Sequence, residues 1–116
     1  MEDDEEEVGE RRARRVPLTC RVFLTADHGL SGEARLLDTS TTGCRLSSSL
    51  VVRPGEELRV SLLLNDHPWP LQIDKAVVRW IKGHEFGVKF LAIRPSVQER
   101  LRCALMKQKR LIRLTA

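Results

Sequence analysis

Tyrosine is absent from this chain of 116 residues, and two tryptophans and three phenylalanines bring the aromatics to only 4%. Proteins that hold single-stranded nucleic acid interleave basic side chains with aromatic faces on which bases stack, so the composition argues against that class. Cysteine is also scarce. Cys20, Cys44 and Cys103 are scattered and odd in number, which argues against a disulfide framework and fits a reducing cytoplasm. No apolar run approaches the length of a membrane span, so no membrane insertion is expected. The first residues are acidic, the opposite of the basic start of a secretory signal. His28, His67 and His84 all fall in turn-like segments, where solvation is expected, and no metal-ligand spacing links them to the cysteines. There is no nucleophile elbow, P-loop or dinucleotide fingerprint. No catalytic residue, metal or cofactor is expected, and the chain does not read as an enzyme.

What is present is a globular composition, 41% hydrophobic and 31% charged, at a length that suits one domain with its own core. The net charge of +4 hides a division. Seven of the 16 acids lie in residues 1–10, which hold no base, so the remaining residues carry 20 bases against 9 acids. Residues 1–10 read as a disordered acidic tail, because a block of like charge repels itself and buries nothing. Residues 11–116 read as a single, distinctly basic domain that should attract anions.

Within that domain the apolar pattern has period two. Val16, Leu18, Cys20, Val22 and Leu24 share one face, with Thr19, Arg21 and Thr25 opposite, as in a half-buried strand. Asp27-His28-Gly29 and Ser31-Gly32 supply a turn. A second strand is expected over residues 33–38, with Ala34 and Leu36 inward, then a short one over 44–46. Arg53-Pro54-Gly55 makes another turn, and residues 57–64 alternate again until Asn65-Asp66-His67-Pro68 breaks them. A long strand over 71–81 slips in its alternation near Lys75, and Lys82-Gly83-His84 turns the chain into a last strand with Phe86, Val88 and Phe90 inward. Many short strands at such intervals suggest a small antiparallel barrel or sandwich. The end differs. Pro95-Ser96 opens a helix expected over about 95–113, with Glu99 near its first turn, basic residues near its last, and Val97, Leu101, Leu105 and Ile112 on one face.

Two segments carry the functional signal. Arg11-Arg12-Ala13-Arg14-Arg15 places a cluster of forked cations just ahead of the first strand. Asp38-Thr39-Ser40-Thr41-Thr42-Gly43 is a polar turn with an acceptor, a hydroxyl and a glycine at fixed offsets. A guanidinium fork donates two parallel hydrogen bonds to phosphate and also matches the O6/N7 edge of guanine, while a carboxylate accepts from the N–H groups on that base's other edge. The two segments together suit an anion that carries base edges, such as a nucleotide.

In order, RxxxR (Arg11 to Arg15), an intervening strand pair and DxSxxG (Asp38 to Gly43) resemble a PilZ domain, a bacterial sensor module for the second messenger cyclic di-GMP. Gly55 before an apolar strand, Trp80 before a tight turn and the GxxF run Gly87-Val88-Lys89-Phe90 extend the resemblance, which covers roughly residues 10–114. It implies an all-β fold, an antiparallel β-barrel of about six strands with one C-terminal α-helix. It also implies roles. Arg11 and Arg15, joined by Arg12 rather than Arg14, contact phosphates and a guanine Hoogsteen edge. Asp38 accepts from guanine N–H groups, Ser40 orders the turn or touches ligand, Gly43 permits a positive φ or a close backbone approach, and Trp80 stacks on a base. Residue 10, just ahead of RxxxR, influences in this family whether one ligand or an intercalated pair is held. Arg favours the pair, and here the residue is Glu10, which favours one.

On this reading the chain is a cytoplasmic bacterial receptor. Binding orders the arginine segment over the barrel mouth, and the signal passes to an unidentified effector protein. Two rivals stand beside it. One is a small basic β-barrel that binds RNA or single-stranded DNA, which the scarcity of aromatics disfavours. The other is a PilZ-like scaffold that docks a partner without ligand, which the intact motifs disfavour.

Overall fold

The computed structural model describes residues 16–64 and 68–115, with side chains as far as residue 109. The acidic tail, the arginines Arg11, Arg12 and Arg15, the Asn65-Asp66-His67 break and the side chain of Ile112 lie outside the described residues.

Six strands follow one another: β1 (Val16–Thr25), β2 (Ser31–Thr39), β3 (Gly43–Ser47), β4 (Glu57–Leu63), β5 (Leu71–Lys82) and β6 (Glu85–Ala92). Among the described residues one helix follows them, α1 (Pro95–Thr115). All strand pairs are antiparallel, and β1 pairs with both β2 and β4, so the sheet closes into a barrel in the order β1-β2-β3-β6-β5-β4. Closure leaves no strand edge to recruit another chain.

The period-two pattern is what the barrel sorts. Val22, Leu24, Leu36, Cys44, Leu46, Val60, Leu62, Leu71, Ile73, Val78, Phe86 and Val88 point inward and are buried, while the residues between them face out. Cys20 belongs to this interior, and burial pushes its thiol up to about 11, which makes it inert at neutral pH. The slip near Lys75 is a register shift: β5 is irregular against β6 between Lys75 and Ala76, and against β4 opposite Leu58/Val60. The β5–β6 hairpin turns through Gly83 and His84. Gly83 adopts φ +63, a region that side chains with a Cβ enter only at a cost.

The helix packs against β1 and β5. Leu101 and Leu105 are buried, and Val97 and Ala104 are packed against the core. Two arginines tie the helix and its approach to the barrel. Arg94 donates from Nε to Asp74 Oδ2 at 3.0 Å and from NH2 to Asp74 Oδ1 at 3.1 Å, a fork on a carboxylate. Arg100 donates to the carbonyls of Trp69 and Pro70. The first turn of α1 itself contains no acid. Glu99 comes directly after it and pairs with Arg102 as a local i,i+3 partner. His28 is exposed in its turn, and its ring meets the carboxylate of Glu56.

Because Leu101 is fully buried at the helix–barrel contact, Leu101→Ala is expected to cost about 2–5 kcal/mol. The check is the urea midpoint with the slope unchanged.

Candidate functional site on the outer wall

The site is best built from the β2–β3 hairpin. The turn over residues 39–43 is closed by the Ser40 N–H, which donates to Gly43 O at 2.9 Å. Inside it the Ser40 hydroxyl accepts from the Thr42 N–H at 3.1 Å and meets Thr42 Oγ1 at 3.1 Å. The Thr39 hydroxyl reaches the carbonyls of Ser40 at 2.9 Å and Gly43 at 3.0 Å. Thr39 and Ser40 are buried, so both hydroxyls serve the turn's own backbone, as short polar side chains do where the chain reverses.

Gly43 does not adopt a positive φ. Its requirement is space: a Cβ at this position would stand 2.5 Å from the carbonyl oxygen of Val88 on β6. The turn is held to β6 again where the Phe90 N–H donates to Thr42 O at 2.8 Å. Gly43→Ala is therefore expected to push β3 from β6 and destabilise the barrel by about 1–3 kcal/mol, read as a fall in melting temperature.

Outward from this turn, strand register builds a row. Thr39 pairs with Cys44 and Asp38 with Arg45. Arg45 pairs with Gly87 on β6, and Gly87 with Trp80 on β5. On the other side Pro17 of β1 pairs with Asp38. Pro17, Asp38, Arg45, Gly87 and Trp80 thus cross five strands in one line on the outer wall. Three register shifts flank it, between Pro17 and Cys20, between Leu36 and Asp38, and between Val78 and Trp80. Bulges of this kind re-aim the side chain that follows them, and here they precede Asp38 and Trp80.

The chemistry of the row is an acid held by a guanidinium. Arg45 donates from Nε to Asp38 Oδ2 at 3.0 Å, and its NH2 forms an ion pair with the same oxygen at 2.9 Å. Its NH1 lies 3.3 Å from Glu85 Oε1. The Asp38 side chain is 15% exposed and that of Arg45 38%. At the far end the Trp80 indole lies on Gly87 so closely that a Cβ on Gly87 would collide with its Nε1 and Cε2.

Of the residues expected from sequence, Asp38, Ser40 and Gly43 come together in one hairpin. Trp80 shares their wall but stands three strands from Asp38, about 14 Å at ordinary strand spacing. The row lies on the outer face of the barrel, whose interior is filled by apolar side chains. Sequence reading missed Arg45 and Glu85. A signal for Arg45 existed: once Thr39 and Cys44 flank the turn, counting outward puts Asp38 opposite Arg45. Among the described residues no group of acids, histidines and cysteines is arranged to hold a metal ion, and no helix is long and apolar enough to cross a membrane.

Six strands closed into a barrel with a helix packed on it define a small β-barrel domain. The particular family follows from the sequence, which matches the PilZ domain over residues 10–107. The chain belongs to the PilZ domain family, a family of cyclic di-GMP receptor modules. A comparison with curated proteins finds no match.

Among solved structures, the chain is similar to the Bacillus subtilis inhibitor of motility (MotI/DgrA), with a TM-score of 0.70 and 19% identity, over 85% of this chain and 51% of that one. It therefore spans about half of that protein's length. It is also similar to the PilZ domain of CeSA from a cellulose-synthesizing bacterium (TM-score 0.66, 12% identity, 84% of this chain and 99% of that one). The third is the PilZ domain of YcgR from Escherichia coli with c-di-GMP (0.63, 16%, 90% and 95%). At these identities the likeness is one of fold.

Proposed function

We propose that this PilZ domain is a cyclic di-GMP receptor that holds its ligand between the RxxxR segment and the outer-wall row that begins at Asp38. The observation that carries the reading is the register of β1 on β2: Val16 is opposite Thr39 and Pro17 opposite Asp38. Arg15 is bonded to Val16, so their Cα atoms are about 3.8 Å apart across a trans peptide, and Arg11 follows within about 15 Å. The chain thus enters β1 beside Asp38, which supports a site shared by Asp38 and the segment ahead of β1. A ligand with two guanines and two phosphates presents O6/N7 edges and anionic oxygens to the guanidinium forks and N–H edges to the carboxylate. The fold shared with a PilZ domain that carries c-di-GMP supports this ligand class, as does the excess of 20 bases over 9 acids beyond residue 10.

In this reading Arg11, Arg12 and Arg15 bind the ligand, Asp38 reads its base, Ser40 and Gly43 shape the turn beside it, and Trp80 offers a stacking face further along the wall. Binding draws the arginine segment across the wall and changes the surface offered to an effector protein in the cytoplasm, a coupling of ordering to recognition.

The test is a calorimetric titration with cyclic di-GMP. Glu10 puts a carboxylate beside the phosphates, where a second, intercalated ligand would add negative charge, so saturation at one ligand per chain is expected. Saturation at two would overturn the stoichiometry, and absence of binding would overturn the function.

A further inference from the structure

We infer that Arg45, anchored on its other side by Glu85, is a positioning residue that sets the Asp38 carboxylate for the guanine edge. The inference rests on the receptor reading above and deepens it, since neither Arg45 nor Glu85 belongs to the RxxxR or DxSxxG motifs.

Arg45 occupies the middle of the row, on β3, with β2 and β6 on either side. Its Nε donates to Asp38 Oδ2 at 3.0 Å, and its NH2 lies 2.9 Å from the same oxygen as an ion pair. A carboxylate has about four acceptor sites on its two oxygens. The guanidinium contact at Oδ2 fixes the orientation of the group from the β3 side. The same guanidinium touches Glu85 Oε1 at 3.3 Å. Glu85 is the diagonal neighbour across the β3–β6 pair, two residues before Gly87, which faces Arg45. A cation held between carboxylates on two flanking strands has little rotamer freedom left, and a mostly buried partner such as Asp38, 15% exposed, takes its orientation from it. Competition, with Arg45 occupying the acceptor that guanine needs, predicts the opposite change in affinity when Arg45 is removed.

Positioning and mere structural support separate in a double-mutant cycle read by cyclic di-GMP titration. Arg45→Ala is expected to weaken binding roughly tenfold and to lower the preference for cyclic di-GMP over cyclic di-AMP. In an Asp38→Ala background the same change is expected to shift affinity by no more than about twofold, because the group it acts through is gone. Arg45→Lys keeps a cation across the strands but lacks the fork, so it is expected to restore the denaturation midpoint and not the affinity. Glu85→Gln is expected to weaken binding in the same direction by less, again only when Asp38 is present. It also serves as the test if Arg45→Ala impairs folding.

Affinity unchanged or tighter in Arg45→Ala, while Asp38→Ala binds weakly, overturns the inference and leaves the receptor reading standing. Equal losses for Arg45→Ala with and without Asp38 also overturn it, since they indicate a structural role. Absence of binding in the unmodified chain overturns both together.

Discussion

Replacing either Arg11 or Arg15 by alanine is expected to weaken cyclic di-GMP binding roughly ten- to a hundredfold, because a bidentate Arg–guanine contact is worth about 1–3 kcal/mol. The barrel should be unaffected. Both residues precede Val16, where β1 begins, and the interior is assembled from residues beyond that point. Thermal melts of the variants should therefore overlay that of the parent while the titrations separate. Lysine should not rescue either position, since an ammonium group is a point donor that cannot present two parallel N–H groups to O6/N7 or to a phosphate. Arg21 is a suitable control. It lies on the same wall but already pairs with Glu33 at 2.8 Å, so Arg21→Ala should lower affinity only by the general loss of one exposed charge. Parental affinity in both Arg11→Ala and Arg15→Ala would remove the arginine segment from the site.

The second large effect concerns base identity. Cyclic di-AMP is expected to bind at least roughly a hundredfold more weakly than cyclic di-GMP, because adenine presents an N6 amino donor where guanine has the O6 acceptor, so each arginine fork meets a donor. Asp38 adds to this from the opposite edge. An ionised carboxylate only accepts hydrogen bonds, and guanine offers N1–H and N2–H to it. Asp38→Ala should thus lower affinity for the guanine ligand about ten- to a hundredfold and narrow the gap between the two dinucleotides. Competition against a fluorescent cyclic di-GMP measures both effects in one assay. Including mixed single-stranded RNA tests the nucleic-acid alternative, which predicts displacement by RNA at lower concentration than by unlabelled dinucleotide and an affinity that falls steeply with salt. That outcome would replace the second-messenger reading.

Much of the fold was legible because a small closed barrel makes each strand half wet and half dry. The alternation of Cys20, Val22 and Leu24 with Thr19, Arg21 and Thr25 therefore appears directly in the residue order. The slip near Lys75 was visible for the same reason, since a bulge inserts one residue into a period of two. Bulges just ahead of Asp38 and Trp80 were not visible. There the shift is defined only against a neighbouring strand.

By itself, then, the amino-acid order determined the strands, the final helix, the charge division between residues 1–10 and the rest, and the motifs that mark the family, because each depends on neighbours within a few residues. Tertiary structure alone decided which strand closes on which, that the row of Asp38, Arg45 and Trp80 runs along the outer wall, and that Arg45 stands between Asp38 and Glu85. Glu85 lies 40 residues from Arg45 in the chain. Only the pairing of β3 with β6 brings the two within reach, and that pairing is set by the burial of the whole interior and not by any local preference of either residue.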